Sequence, residues 1–255
     1  IDNVRRMAAA TAAELGTAPA HVLVSSTGVI GVPLPIDLIE RGIRGIAADL
    51  QDNPLIGAEG IMTTDRHPKA LSTAVGNATI TWVAKGSGMI EPNMATMLVY
   101  IFTDAALDAA SLDRMLRVAA DQSFNMLSVD SDTSTSDTCA ILANGLAGPV
   151  DETAFTQALI AGCTRMTEIL ARDGEGAMRM IRATVRGALD AREAKRVAKS
   201  LVNSPLVKTM VAGADPNVGR LLMAVGKCFE CTIRPPNTDA WINGTLDTKV
   251  IVHEL

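Results

Sequence analysis

The chain has 255 residues, 48% of them hydrophobic, 20% charged and 3% aromatic, with a net charge of -5. That balance suits one large domain or two modest ones around an aliphatic core, and it gives no basis for a nucleic-acid or anionic-membrane partner. Basic residues are scattered rather than interleaved with aromatics, and no apolar run approaches the ~20 residues of a membrane span.

Asp2 predicts a helix cap, with residues 3–15 helical and Val4, Met7, Ala8, Ala12 and Leu15 on one face; Gly16 stops it. His21 to Ser25 reads as a short buried strand leading into Ser25-Ser-Thr27-Gly28-Val-Ile-Gly31. A second helix pattern, Ile36, Ile39, Ile43, Ile46 and Ala47, starts near Pro35, weakened by Gly42 and Gly45. Residues 52–69 are polar and turn-rich, and Ala78 to Ala84 alternates as a strand. Met97 to Phe102 reads as a buried strand, and Ser111 as the cap of a helix carrying Leu112, Met115, Leu116 and Ala119. Asp130 to Thr138 is a Ser/Thr/Asp-rich loop. Residues 152–171 and about 190–203 read as helices, with a half-exposed strand at Ile181, Ala183 and Val185 between them, and 213–220 as a turn-rich segment. Helices and strands alternate throughout, which favours an α/β or α+β architecture. Ile1 enters a helix pattern at once and Leu255 ends within a strand-like run, so both ends read as cut from a longer protein.

Four cysteines are present. Cys139 and Cys163 are isolated. Cys228 and Cys231 form a C-x-x-C, but His21, His67 and His253 supply no companion pair at short spacing, so no metal site is expected.

The chemistry-bearing stretch is Lys85-Gly-Ser-Gly-Met-Ile-Glu-Pro-Asn-Met-Ala-Thr-Met-Leu98. It puts Thr96 between a Gly/Pro-rich loop and an apolar run. If the Ala95–Thr96 bond breaks, hydroxyl and α-amine sit on one residue. An α-amine has a pKa near ~8, so it can accept a proton at neutral pH, and the Thr–N-terminal-amine pair is a recognised way to activate a hydroxyl. A bland reading, a glycine-rich turn feeding a core strand, fits the run alone. A phosphate loop does not, because no G-K-[ST] closes it.

Thr27 beside Gly28 supplies a hydroxyl and an unhindered N–H suited to an oxyanion hole, or simply a capped turn. Asp130-Ser-Asp132-Thr-Ser134 lacks the glycine and glutamate of a calcium loop, with Thr135 and Ile141 in those places. An aspartyl-phosphate role for Asp130 has only a short signal; a loop held by Asx and Ser/Thr turns is preferred. Asp173-Gly-Glu175-Gly reads as a helix C-cap and solvated turn, in which Glu175 could hold an ammonium.

Taken together and in this order, these segments resemble the ornithine acetyltransferase (glutamate N-acetyltransferase, bifunctional arginine-biosynthesis) family. The matching runs are residues 26–31, Met62-Thr63-Thr64-Asp65, Lys85 to Leu98, Ser128 to Thr138, Asp173 to Ala177, Asn203-Ser-Pro-Leu-Val-Lys208-Thr and Asp215-Pro-Asn217-Val-Gly-Arg220, spanning about residues 1–255. The resemblance implies an α/β fold of mixed sheets packed with helices and self-processing of the N-terminal-nucleophile type. It implies an α portion, 1–95, ending at Ala95, and a β portion, 96–255, starting at Thr96. Thr96 then attacks the acetyl group of N-acetylornithine, ornithine leaves, and glutamate takes the acetyl group in a ping-pong cycle. Thr27 and Gly28 match the oxyanion-hole pair; Lys85, Thr63 or Thr64, and Glu175 match substrate-binding positions, with Lys85 suited to an α-carboxylate and Glu175 to an ammonium.

No cofactor is implied, although acetyl-CoA serves as substrate in bifunctional members. A cytoplasmic α2β2 assembly is implied. Family chains extend beyond both ends seen here, with an Asn and a hydroxyl residue as further C-terminal contacts, and Val218 stands where a tryptophan is common. Two other readings remain: a threonine amidohydrolase or aminopeptidase with water as acceptor, and a non-catalytic, unprocessed paralogue.

Overall fold

The computed structural model describes residues 1–91, 97–233, 240–243 and 249–252. Its centre is a mixed four-stranded sheet in the order β1 (Lys69–Val75), β2 (Ala78–Lys85), β3 (Leu98–Ala105), β4 (Thr138–Gly148). β1–β2 and β2–β3 are antiparallel, and β3–β4 is parallel. The parallel step needs a crossover, which α4 (Ala109–Gln122) supplies. Lys85 pairs with Leu98 and Leu98 with Thr138, so three strand ends meet at one rim of the sheet.

A long helix, α5 (Glu152–Arg172), lies against the sheet and buries Phe155, Leu159, Cys163, Met166 and Leu170. Trp82, beside Phe124 and Phe155 in this core, is fully buried, and its indole N–H donates to Cys163 Sγ at 3.3 Å. Gly162 makes the approach possible: a Cβ there would sit 2.2 Å from the Trp82 ring. Burial of such side chains contributes roughly 1.5–3 kcal/mol each, which is how a chain poor in aromatics still closes a core.

The N-terminal helices α1 (Asp2–Leu15), α2 (Ile36–Ile43) and α3 (Pro54–Gly60) precede the sheet. Arg6 of α1 bridges Asp37 and Glu40 of α2 at 2.7 and 2.6 Å. A second, smaller cluster is built by α6 (Ala191–Asn203), α7 (Pro205–Gly213) and α8 (Val218–Gly226) around Val207, Met210 and Ala224. A short antiparallel pair, β5 (Ala240–Asn243) with β6 (Lys249–Val252), follows.

Several expectations are corrected. Residues 22–25 are irregular and have no partner strand among the described residues, and 181–186 are likewise irregular rather than a strand. Hydrophobic alternation there is not matched by pairing with any described strand. α4 begins one turn earlier than Ser111 suggests, because Asp108 accepts from the Ala110 and Ser111 N–H groups, both at 2.9 Å. Ile1 occupies the cap of α1, with Asp2 in its first turn. The 213–220 segment is a turn only at 214–217, between α7 and α8.

The rim of the sheet is held by buried charge. Lys69, at the start of β1, reaches Asp65 Oδ1 at 2.5 Å and Asp173 Oδ2 at 2.6 Å, and all three side chains are at most 5% exposed. Asp65 also accepts from the Gly86 N–H at 2.7 Å. Asp173, at the end of α5, accepts from Arg66 through its N–H and its Nε, both at 3.0 Å. One ammonium thus ties the loop before β1, the end of β2 and the end of α5 to a common point. Burial works against ionised Asp65, yet Lys69 and the N–H donors hold both carboxyls below the usual range. Their contribution is complete above the unfolded carboxylate value and is lost as pH falls through the depressed one. Lys69→Met strands two buried carboxylates, and we expect it to lower stability by ~3–5 kcal/mol, read by denaturant unfolding at neutral pH; a loss no larger than that of a surface substitution would contradict this account.

Candidate active site at the rim of the sheet

Lys85 is the last residue of β2 and is buried, with 4% of its surface exposed. Its Nζ lies 3.4 Å from Thr63 Oγ1. Burial pushes the Lys85 ammonium down from its ordinary value, and Asp65 and Asp137 push it back up. Thr64 Oγ1 is 2.6 Å from Ser87 Oγ and donates to Glu175 Oε1 at 2.5 Å. Glu175 is fixed further by its own N–H, which donates to the Ser87 carbonyl at 2.7 Å. Gly88 approaches it closely: a Cβ there would lie 2.4 Å from Glu175 Cδ. Thr63, Thr64, Lys85 and Glu175 therefore lie together, and Ser87 joins them.

The chain leaving this cluster is strapped to the loop before β4. Asp130 accepts from the Met89 N–H at 2.6 Å and the Ile90 N–H at 2.9 Å. Val129 N–H donates to the Ile90 carbonyl at 2.6 Å, and Glu91 N–H to the Asp132 carbonyl at 3.0 Å. Met89 and Ser131 both have left-handed backbone, φ 54° and 69°. A non-glycine residue in that region is strained, and such strain persists only where surrounding bonds fix it. Asp132 N–H donates back to Asp130 at 3.1 Å, the Asx turn expected of this loop.

The helical cluster also grips the strap. Asn203 Nδ2 and Ser128 Oγ donate to Glu91 Oε2 at 2.6 and 2.9 Å, and Lys208 Nζ donates to the Val129 carbonyl at 2.6 Å.

Residues 92–96 follow, so Ala95 and Thr96 lie outside the described residues. The chain is described again from Met97, whose carbonyl accepts from the Thr138 N–H at 2.9 Å. Thr27 is half-buried and Gly28 exposed in the irregular segment before α2; among the described residues neither hydrogen-bonds to the Lys85 cluster.

Two features escaped the sequence reading. Asp173 is buried rather than solvated, because the C-cap it forms is turned onto Lys69 and Arg66. Asp137, just before β4, has both carboxyl oxygens buried without a hydrogen-bond partner among the described residues. Burial pushes its pKa up to about 7, against a weaker pull from the Met97 N–H and the Lys85 charge. Among the described residues no group of three or more His, Cys, Asp and Glu side chains could hold a metal ion, and no helix is long and apolar enough to cross a membrane.

A mixed sheet whose rim gathers a buried lysine, two threonine hydroxyls and an exposed carboxylate defines an α/β protein with a polar cluster at that rim. The chain belongs to the ArgJ family, whose model matches residues 1–254. It is 49% identical over 234 residues to the arginine biosynthesis bifunctional protein ArgJ of Rhodococcoides fascians, covering 91% of this chain and 58% of that one. It is 47% identical over 247 residues to an ArgJ protein of Clostridium acetobutylicum, covering 96% and 64%. It is 46% identical over 232 residues to the glutamate N-acetyltransferase Oat2 of Streptomyces clavuligerus, covering 91% and 59%. The chain thus spans roughly three-fifths of the length of these relatives. A crystal structure of the arginine biosynthesis bifunctional protein of Bacillus halodurans matches with a TM-score of 0.55 at 38% identity, covering 57% of this chain and 72% of that chain.

Gly88→Ala drives a methyl group into Glu175 while leaving the buried core untouched. Since Glu175 is surface-exposed and able to swing away, we expect an unchanged melting temperature and a ligand affinity at least about tenfold weaker, the scale of one lost charge-assisted contact. Calorimetric titration with ornithine checks this; unchanged affinity would remove Glu175 from the binding site.

Proposed function

We propose that this protein transfers an acetyl group from N-acetylornithine to glutamate through an acetyl-threonine at Thr96, after its own chain opens between Ala95 and Thr96. The observation that carries the reading is the convergence of Lys85, Thr63, Thr64 and Glu175 at the rim where Met97 enters β3. A buried cation suits an α-carboxylate, and an exposed carboxylate braced by a threonine suits an ammonium. Donor and acceptor amino acids share those groups, so one pocket serves both halves of a ping-pong cycle.

In this reading Thr96 is nucleophile and, through its freed amine, base; Thr27 and Gly28 supply the oxyanion hole. Residues 1–95 and 96–255 become separate chains that remain joined by the β2–β3 pairing, from Ile80 with Thr103 to Lys85 with Leu98. The names carried by the relatives support a place in arginine biosynthesis. A cytoplasmic location, an α2β2 assembly and acetyl-CoA as a second donor belong to the same proposal.

Intact-mass measurement should find fragments ending at Ala95 and starting at Thr96. Thr96→Ala should leave the chain whole and abolish acetyl transfer to glutamate. Transfer retained in Thr96→Ala would rule out the nucleophile, and acetate released without glutamate would make water the acceptor.

A further inference from the structure

Among the hydroxyls of the rim cluster, Thr63 and Thr64 belong to exposed residues, whereas Ser87 is buried, with 1% of its surface exposed. Its Oγ lies 2.6 Å from Thr64 Oγ1, and the distance alone leaves the donor open. The neighbouring bond decides it. Thr64 has one hydroxyl proton, and gives it to Glu175 Oε1 at 2.5 Å. An ionised carboxylate can only accept. Thr64 must therefore accept from Ser87, and the chain of donors runs one way, from Ser87 to Thr64 to Glu175.

Ser87 is itself held in place. The Gly86 N–H before it donates to Asp65 Oδ1 at 2.7 Å, which ties this turn to the Lys69 cluster. The Ser87 carbonyl accepts from the Glu175 N–H at 2.7 Å. Ser87 thus meets Glu175 twice: directly at the main chain, and at the carboxylate through Thr64. The main-chain bond sets where Glu175 sits. The hydroxyl bond sets where its carboxylate points, and a single side-chain oxygen controls it.

We propose that Ser87 is a positioning residue for recognition of an amino acid's ammonium group. This rests on the reading of Glu175 as the ammonium partner given above. With Oε1 held by Thr64, the carboxylate presents Oε2 to the ligand in one orientation. Without the Ser87 hydroxyl, the exposed Thr64 side chain is free to change rotamer and bond water, and Glu175 loses its brace. The ligand then meets a carboxylate that must be ordered as it binds. Affinity falls although no contact with the ligand has been removed, because the cost of ordering is moved into the binding step.

The test is calorimetric titration of ornithine into the parent protein, Ser87→Ala, Glu175→Gln and the double variant. Ser87→Ala should bind ornithine about fivefold more weakly, the scale of one neutral hydrogen bond, and Glu175→Gln about tenfold more weakly. The double variant should bind no more weakly than Glu175→Gln, because Ser87 acts only through that carboxylate. A serine that merely supports the turn would weaken ornithine by the same factor in both backgrounds, and that additive result would overturn the proposal. Thr64→Val interrupts the same chain at an exposed position, where folding is not at stake. It should weaken ornithine at least as much as Ser87→Ala; binding as tight as the parent's would also overturn the proposal. Ser87→Ala binding like the parent beside a weakened Glu175→Gln would sink this role alone. A parent that binds no ornithine, or a Glu175→Gln variant that binds it undiminished, would sink the Glu175 reading and this one together.

Discussion

The site depends on one buried ammonium. Lys69 sits between Asp65 and Asp173, and those two carboxylates in turn hold Gly86, Thr63 and Arg66. Removing three charges from water is expensive, and a buried ion cluster of this kind gains little net stability over an apolar equivalent. Its effect here is geometric. Three segments far apart in sequence must meet at Lys69 or leave a charge unpaired in the interior. The loop carrying Thr63 and Thr64, the glycine turn after Lys85 and the turn carrying Glu175 are placed by that requirement.

A second constraint acts on the main chain. Asp130 and its neighbours hold residues 89–91 as a strap, with Met89 kept in left-handed backbone. The carboxylate takes two consecutive N–H groups, so the strain at Met89 is opposed by charge-assisted hydrogen bonds, which are roughly twice as strong as neutral ones. The motif Asn203 to Lys208 contributes from the far side through Glu91 and Val129. Segments that look unrelated along the chain thus serve one junction: the two strands on either side of it are paired, and the loop leading into it is clamped.

Much of this was legible in the sequence, unevenly. The long helix α5 and the strands β2 and β3 follow from periodicity, because each buries one face on the main core, and α6 follows from the same signal although it packs in the smaller cluster with α7 and α8. β4 was missed because Asn144, Gly145 and Gly148 carry turn chemistry, and its other residues are half-buried or, at Leu142 and Leu146, exposed at the edge of the sheet. β1 was missed because the Ser72 and Thr73 positions face solvent and leave little alternation. The strands expected at 21–25 and 181–186 show the reverse error: a local pattern without a neighbour to pair with.

At the site, Thr63, Thr64, Lys85 and Glu175 were found through motif order, not through any local property of the residues. The Lys69 cluster was invisible because Asp65 and Lys69 are four apart in a loop, where that spacing carries no meaning, and Asp173 is 104 residues beyond Lys69. Asp137 gives no sequence signal either. What marks it is the burial of both carboxyl oxygens without a hydrogen-bond partner among the described residues, a property only the packed structure has.

The proposed reaction passes through an acetyl group carried on Thr96. The direct measurement is intact mass of the processed protein after exposure to N-acetylornithine with glutamate withheld. The account predicts that the fragment beginning at Thr96 gains the mass of one acetyl group, that peptide mapping places it on Thr96, and that added glutamate removes it. An unmodified fragment in the presence of turnover, or an acetyl group mapped to any other residue, would contradict it.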